Sequence, residues 1–303
     1  MKKRVFCCLA SLLCWSAVAV RAAKVDTVEV HSRKMGRAVR TIVISPEKTE
    51  GKGAAVVYLL HGYGGNETTW PSLKPELKDY ADRENLIFVC PNGENSWYWD
   101  SPLNEDSQFE TFVSRELVSY VDGHYRTLPS REKRAITGLS MGGHGALWLA
   151  IRHQDVFGAA GSTSGGLDIR PFPDNWDMKE QIGAKDAGVC DWDDYTVINQ
   201  TGKLKDGALW IIFDCGYDDF FFEVNQAFHQ KLLERGVMHD FIVRPGAHTG
   251  EQFHRLSNLV FLEILQSKSL TVTVRRVVIW SFAVGERISF SQLAGVPLRC
   301  GYG

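Results

Sequence analysis

Short apolar runs alternate with longer amphipathic stretches along most of the chain, a rhythm that strands buried on both faces and joined by helical crossovers impose on a sequence. The runs predict strands at Val25 to Val30, Val39 to Ser45, Ala54 to Leu60, Leu86 to Cys90, Arg134 to Thr137, Gly158 to Ser162, Ala208 to Asp214 and Asp240 to Arg244. Helical spacing falls between them at Leu73 to Glu84, Phe109 to Tyr125, Gly142 to His153 and Phe220 to Arg235, with another helix beginning near Gln252. The expected architecture is α/β, a mostly parallel central sheet flanked by helices. Two stretches break the rhythm. Gly165 to about Lys205, rich in Asp, Trp and Pro, falls after the sixth strand, where an insertion can form a cap over a site. The tail 269–303 has no clean period, although Thr271 to Trp280 can form a strand.

The N-terminus changes this picture. Met1-Lys2-Lys3-Arg4 precedes the apolar run Val5 to Val20, and small residues Ala22 and Ala23 follow before a polar stretch opens at Lys24. This is the layout of a cleavable signal peptide over residues 1–22, and the run is shorter than the ~20 residues a spanning helix needs. A lipoprotein route through Cys14 is disfavoured by the bulk of Leu13 before it. The expectation is therefore an exported protein, periplasmic or secreted, with no stable membrane span after cleavage, comprising a catalytic domain over 24–268 and an extension over 269–303. Cleavage removes Lys2, Lys3, Arg4 and Arg21 and no acidic residue, leaving a mildly acidic mature chain.

At 303 residues with 44% hydrophobic positions, the chain can bury the core of one such domain. Its 34 Lys and Arg are balanced by 36 Asp and Glu, and no basic stripe interleaves with aromatics, so no nucleic-acid partner is expected. Of seven cysteines, Cys7, Cys8 and Cys14 lie in the leader; Cys90, Cys190, Cys215 and Cys300 form no CxxC and no metal-ligand spacing with His. Neither a metal nor another cofactor is expected, and disulfides are permitted by the compartment but not indicated.

Gly138-Leu139-Ser140-Met141-Gly142 stands between a predicted strand and a predicted helix, the context of a nucleophile elbow. A bare GxSxG is weak; its position between those two elements strengthens it. A serine nucleophile needs a base and an orienting acid, which follow it in the order acid then histidine on this kind of scaffold. The strand Ile211 to Asp214 ends in Cys215-Gly216-Tyr217-Asp218-Asp219, and Asp219, fourth in a Gly-x-x-Asp turn, is the expected acid. Asp218 competes, since one acid of the pair can instead cap the following helix. His248 closes Phe241 to His248, just past the last predicted strand, and is the expected base. Among the other histidines, His31, His124, His153, His229, His239 and His254 read as surface or helix residues, His61 belongs to another loop and His144 sits just beyond the elbow. Oxyanion donors are expected from the backbone N–H groups of Met141 and of Tyr63, the latter in the glycine-rich loop His61-Gly62-Tyr63-Gly64-Gly65. That loop lacks the Gly-Lys-Ser/Thr ending of a phosphate cradle.

At these residues the chain resembles the esterase-D-like family of α/β-hydrolases, which holds S-formylglutathione hydrolases, feruloyl and acetyl esterases and mycolyltransferases. The matching pieces are Tyr58 to Gly65 with Trp70, Asn95 to Tyr98, Gly138 to Ala146, Ser164 to Gly166, Cys215 to Asn225 and Pro245 to Thr249. The resemblance implies the same Ser140, Asp219 and His248 and the same two oxyanion donors. It departs at Gly250, where the family carries an aromatic soon after the histidine, and at the tail from Ser269. The expected activity is hydrolysis of carboxylic esters, with acetyl or feruloyl groups on polysaccharide as candidate substrates. S-formylglutathione hydrolysis is disfavoured by the leader, because that substrate is cytosolic. Acyl transfer has no motif that reveals it, and a non-catalytic carbohydrate-binding protein is opposed by the intact triad residues. Trp97, Tyr98 and His144 are candidate substrate contacts, and Trp97, Tyr98, Trp99, Trp176 and Trp192 can either stack on sugar or phenolic rings or fill the core.

Overall fold

The computed structural model describes residues 22–251 and 253. Residues 1–21 of the leader expected over 1–22, nearly all of the helix expected from Gln252, and the extension expected over 269–303 lie outside them. All eight predicted strands form, as β1 (Lys24–Ser32), β2 (Arg37–Ser45), β3 (Ala55–Leu60), β4 (Leu86–Pro91), β5 (Arg134–Leu139), β6 (Ala159–Thr163), β7 (Trp210–Gly216) and β8 (Asp240–Arg244). They make one sheet in the order β1-β2-β4-β3-β5-β6-β7-β8. β1 and β2 pair antiparallel, as do β2 and β4, and every pairing from β4 through β8 is parallel.

The central strands are apolar on both faces, as parallel strands covered by helices must be. Val56, Tyr58 and Leu60 of β3 enter one apolar cluster, and Ala55, Val57 and Leu59 enter another on the opposite face. β4 splits in the same way, Ile87 and Val89 against Leu86, Phe88 and Cys90.

Helices depart from expectation where local chemistry intervenes. The helix expected from Leu73 to Glu84 forms only from Leu77, as α2 (Leu77–Glu84), and a separate short helix, α1 (Thr69–Leu73), ends where it was expected to begin. Pro75 separates them, since its ring lacks the N–H an interior helical position must donate. The stretch from Phe109 is helical throughout but not uniform: α3 (Phe109–Thr111) passes through a π-helical segment, Phe112–Leu117, into α4 (Val118–His124). α5 (Met141–Arg152) and α8 (Phe222–Glu234) form close to their predicted bounds. The insertion between β6 and β7 holds only short helices, α6 (Met178–Ile182) and α7 (Val197–Gln200), with Trp192 buried beneath it. Among the described residues no helix is long and apolar enough to cross a membrane.

A buried carboxylate ties the far end of α5 to α3. Glu110 accepts from Trp148 Nε1 at 2.9 Å, Arg152 Nε at 2.8 Å and His153 Nε2 at 2.9 Å. Burial pushes the Glu110 carboxyl up, but the bonds from His153 and Arg152 outweigh it and hold the group below its ordinary value. Its contribution to stability is therefore present above the unfolded carboxylate pKa and is lost as pH falls through the lowered folded value. Glu110→Ala, which strands these donors, is expected to destabilise the domain by about 2–4 kcal/mol near neutral pH. Denaturant melts of both proteins across an acid series check this: the gap between them should shrink as the solution is acidified.

Candidate active site

The chain at the start of α5 packs too closely to admit a Cβ at its glycines. Ser140 has φ 56° and ψ −119°, a left-handed conformation that a side chain tolerates only where its surroundings enforce it. The enforcement is steric. A Cβ on Gly142 would stand 2.2 Å from the Leu60 carbonyl oxygen and 2.6 Å from that of His61, and one on Gly138 would stand 2.2 Å from the Gly142 oxygen. Without those side chains the turn between β5 and α5 closes against the end of β3. Ser140 N–H donates to the Thr163 carbonyl at 2.9 Å, which fastens the elbow to β6.

Ser140, His248 and Asp219, named from motif and chain order, come together in space. His248 Nε2 is 2.9 Å from Ser140 Oγ, and its Nδ1 is 3.0 and 2.9 Å from the two Asp219 oxygens. An Nδ1–H donated to the carboxylate leaves Nε2 with the lone pair that can accept the serine proton. The Asp219 side chain is fully buried, whereas His248 keeps 15% of its side-chain surface exposed. Asp219 also accepts from the Phe221 N–H at 2.8 Å, so one residue serves both the histidine and the start of α8. Asp218 is exposed and points its backbone N–H at the Gly246 carbonyl, 2.9 Å away. The aromatic missing at Gly250 is supplied three residues later: the Phe253 ring meets His248 edge-on at 4.8 Å.

Met141 opens α5, where backbone N–H groups have no intrahelical acceptor. Tyr63 lies in the loop leaving β3, its side chain 39% exposed. The part played by His61 was not legible beforehand. His61 is buried, its Nε2 accepts from Gly93 N–H at 2.7 Å and its Nδ1 meets the Gly62 carbonyl at 2.7 Å. The first bond requires an unprotonated Nε2, so Nδ1 is the donor of the second. Burial holds its pKa below the ordinary histidine value, keeping the ring in that neutral, bridging form. The only hint in the sequence is its place between the apolar end of β3 and Gly62.

The proposed substrate contacts need correction. Trp97, Tyr98 and His144 are exposed by only 1%, 0% and 0%, so they pack beneath the site and offer no face to a substrate. His144 stands between the rings of Trp97 and Trp99, each 5.1 Å away, with Nδ1 2.9 Å from the Gly166 carbonyl. Burial lowers its pKa to about 4, so it is neutral framework. Trp99 and Trp192 are likewise buried, and of the five aromatics considered only Trp176 is partly open. Other rings are accessible: Phe220 is 48%, Tyr217 51% and Tyr63 39% exposed. Phe220 lies 4.2 Å from the His248 ring and stacks on Trp176 at 5.4 Å.

The model of the family described as "Putative esterase" matches residues 32–256. An acetyl esterase of Caldicellulosiruptor saccharolyticus is 27% identical over 206 residues, which cover 62% of this chain and 74% of that one. An esterase of Mycobacterium tuberculosis is 23% identical over 236 residues, 69% of this chain and 52% of the relative, so the chain spans about half of that protein's length. Among solved structures, a ferulic acid esterase superimposes with a TM-score of 0.69 and 27% identity, covering 82% of this chain and 99% of that one.

The elbow geometry makes a steric prediction. Gly142→Ala must push α5 away from the Leu60 and His61 carbonyls and carry Ser140 with it. Displacements of about 1 Å in a reacting group cost on the order of 10²-fold in rate. Labelling of the folded variant by a fluorophosphonate, followed against wild type, should slow by that order while circular dichroism stays α/β. Labelling at the wild-type rate would show that the close approach does not set the serine.

Proposed function

Because the chain belongs to the "Putative esterase" family and is a carboxylic ester hydrolase, we propose that Ser140 is its nucleophile, His248 its general base and Asp219 the acid that orients the base. The observation that carries this reading is the unbroken line of hydrogen bonds from Ser140 Oγ through the His248 ring to Asp219. In the reaction, Ser140 Oγ attacks the ester carbonyl carbon as its proton passes to His248 Nε2. The carbonyl oxygen takes the negative charge, facing the N–H groups of Met141 and Tyr63. Collapse expels the alcohol, which takes the proton back from His248 and leaves an acyl-serine. Water, deprotonated by the same imidazole, then releases the acid and restores Ser140. Asp219 holds the ring through Nδ1 and favours the imidazolium that forms at each step.

The reading extends to acetyl or feruloyl esters of polysaccharide. It is supported by the acetyl esterase and ferulic acid esterase among the similar proteins, and by the exposed ring of Phe220 stacked on the half-buried Trp176 beside His248, which suits a planar acyl group or a sugar ring. Export completes the proposal, supported by the basic and then apolar N-terminus ending in small residues. Intact-mass measurement of material recovered outside the cytoplasm should give a chain beginning at Ala23. A full-length mass, or cytoplasmic retention, would remove export.

Replacement of the two neighbouring acids tests the role of Asp219. Asp219→Asn is expected to lower kcat on a soluble nitrophenyl ester by about 10⁴-fold, because an amide cannot hold the histidine tautomer that leaves Nε2 free. Asp218→Asn, at an exposed side chain, should stay within a few-fold of wild type. The reverse ranking would assign the acid to Asp218, and full activity in Ser140→Ala would remove the mechanism.

A further inference from the structure

One turn of the insertion reaches both halves of the proposed machinery. Trp176 and Asp177 are consecutive residues with φ of 50° and 54°, a conformation non-glycine residues hold only when neighbours enforce it. Trp97 Nε1 donates to the Trp176 carbonyl at 3.0 Å, and the Trp176 ring stacks on Phe220, which lies against His248. On the other side, the Tyr63 hydroxyl donates to Asp177 Oδ2 at 2.5 Å, joining positions 114 apart in the chain. That bond raises the Tyr63 hydroxyl pKa above its ordinary value.

The loop after β3 is fastened at its other positions by different means. His61 is buried and bonded to Gly93, Gly64 N–H donates to Asn95 Oδ1 at 2.9 Å, and Gly65 N–H donates to the Gly62 carbonyl at 3.0 Å. Tyr63, whose N–H would face the oxyanion, has a largely exposed side chain, and the bond to Asp177 is what holds it. An oxyanion donor is effective to the extent that it needs no reorganisation when charge develops. We propose that Asp177 is a positioning residue: by accepting from the Tyr63 hydroxyl it holds the Tyr63 backbone N–H in the orientation that receives the oxyanion. The inference rests on the serine-esterase reading above. Asp177 touches no reacting atom, and the same short segment braces the base through Trp176 and Phe220, so both halves of the site share one brace.

The test uses the full mature chain with Tyr63→Phe, which removes only the hydroxyl, with Asp177→Ala and Asp177→Asn, and with the Tyr63→Phe/Asp177→Ala double variant. Kinetics on a nitrophenyl ester are read beside the affinity of an arylboronic acid, which becomes tetrahedral on a reactive serine. For a charge-assisted bond at a partly exposed site, each disrupting single variant should lower kcat about 3- to 10-fold with KM within two-fold. Boronate affinity should fall in the same proportion, and melting temperature should not track the loss. The double variant should be no slower than the slower single variant, since either change alone breaks the bond, and Asp177→Asn, which keeps an acceptor, should recover most of the rate. Wild-type kcat in the single variants, a loss confined to KM, or a double variant in which the two losses multiply would each overturn the proposal. Failure of the underlying reading is distinguishable, because it would show as activity retained in Ser140→Ala and no boronate affinity in wild type.

Discussion

The approach of Gly142 to the carbonyl oxygens of Leu60 and His61 is the contact on which the site depends. It presses the N-terminus of α5 against the end of β3, and those two elements lead to Ser140, the proposed nucleophile, and to the loop of Tyr63, the proposed second oxyanion donor. Bringing them so close forces Ser140 into its left-handed conformation and requires glycine on both sides of the turn. The strain is sustained because the elbow is anchored from several directions: Ser140 N–H is bonded to β6, and Glu110 pins the far end of α5. Packing thus places Ser140, and hydrogen bonding places its partners.

Neutral and polarised imidazoles divide the labour around that contact. His61 and His144 are buried away from any carboxylate bond, and burial keeps both rings uncharged, so they act as fixed donors and acceptors that shape loops. His248 differs in two respects that matter chemically. It keeps some exposure to solvent, and its Nδ1 faces a buried carboxylate. That bond and the approach of its Nε2 to Ser140 Oγ set its ring apart from the other two.

Much of this was legible in the chain, and the reasons differ by element. The strands could be read because a sheet covered on both faces demands continuous apolar runs, and Val56 to Leu60 supplies apolar side chains to both. Ser140, Asp219 and His248 could be named from motif and order because each follows a strand end on a tight turn. Asp219 bonds the Phe221 N–H as well as His248, a second bond that chain order does not reveal. The break at Pro75 was carried by a single ring that the helical period overrode. The aromatics stayed open between stacking and core packing because composition cannot tell a buried tryptophan from an exposed one, and Trp97 and Trp99 stack on each other at 5.7 Å inside the core. Phe253 shows the converse, a partner for His248 that sequence spacing hid because the turn after Thr249 brings it back over the ring.

In the proposed mechanism catalysis passes through a covalent bond to Ser140, and capture of that bond is the most direct measurement of it. Wild-type protein mixed with a fast-reacting aryl ester, quenched in acid within the first turnover and digested, should yield a peptide containing Ser140 heavier by the mass of the acyl group. Turnover with no acylated peptide, or with the acyl group on another residue, would contradict the account.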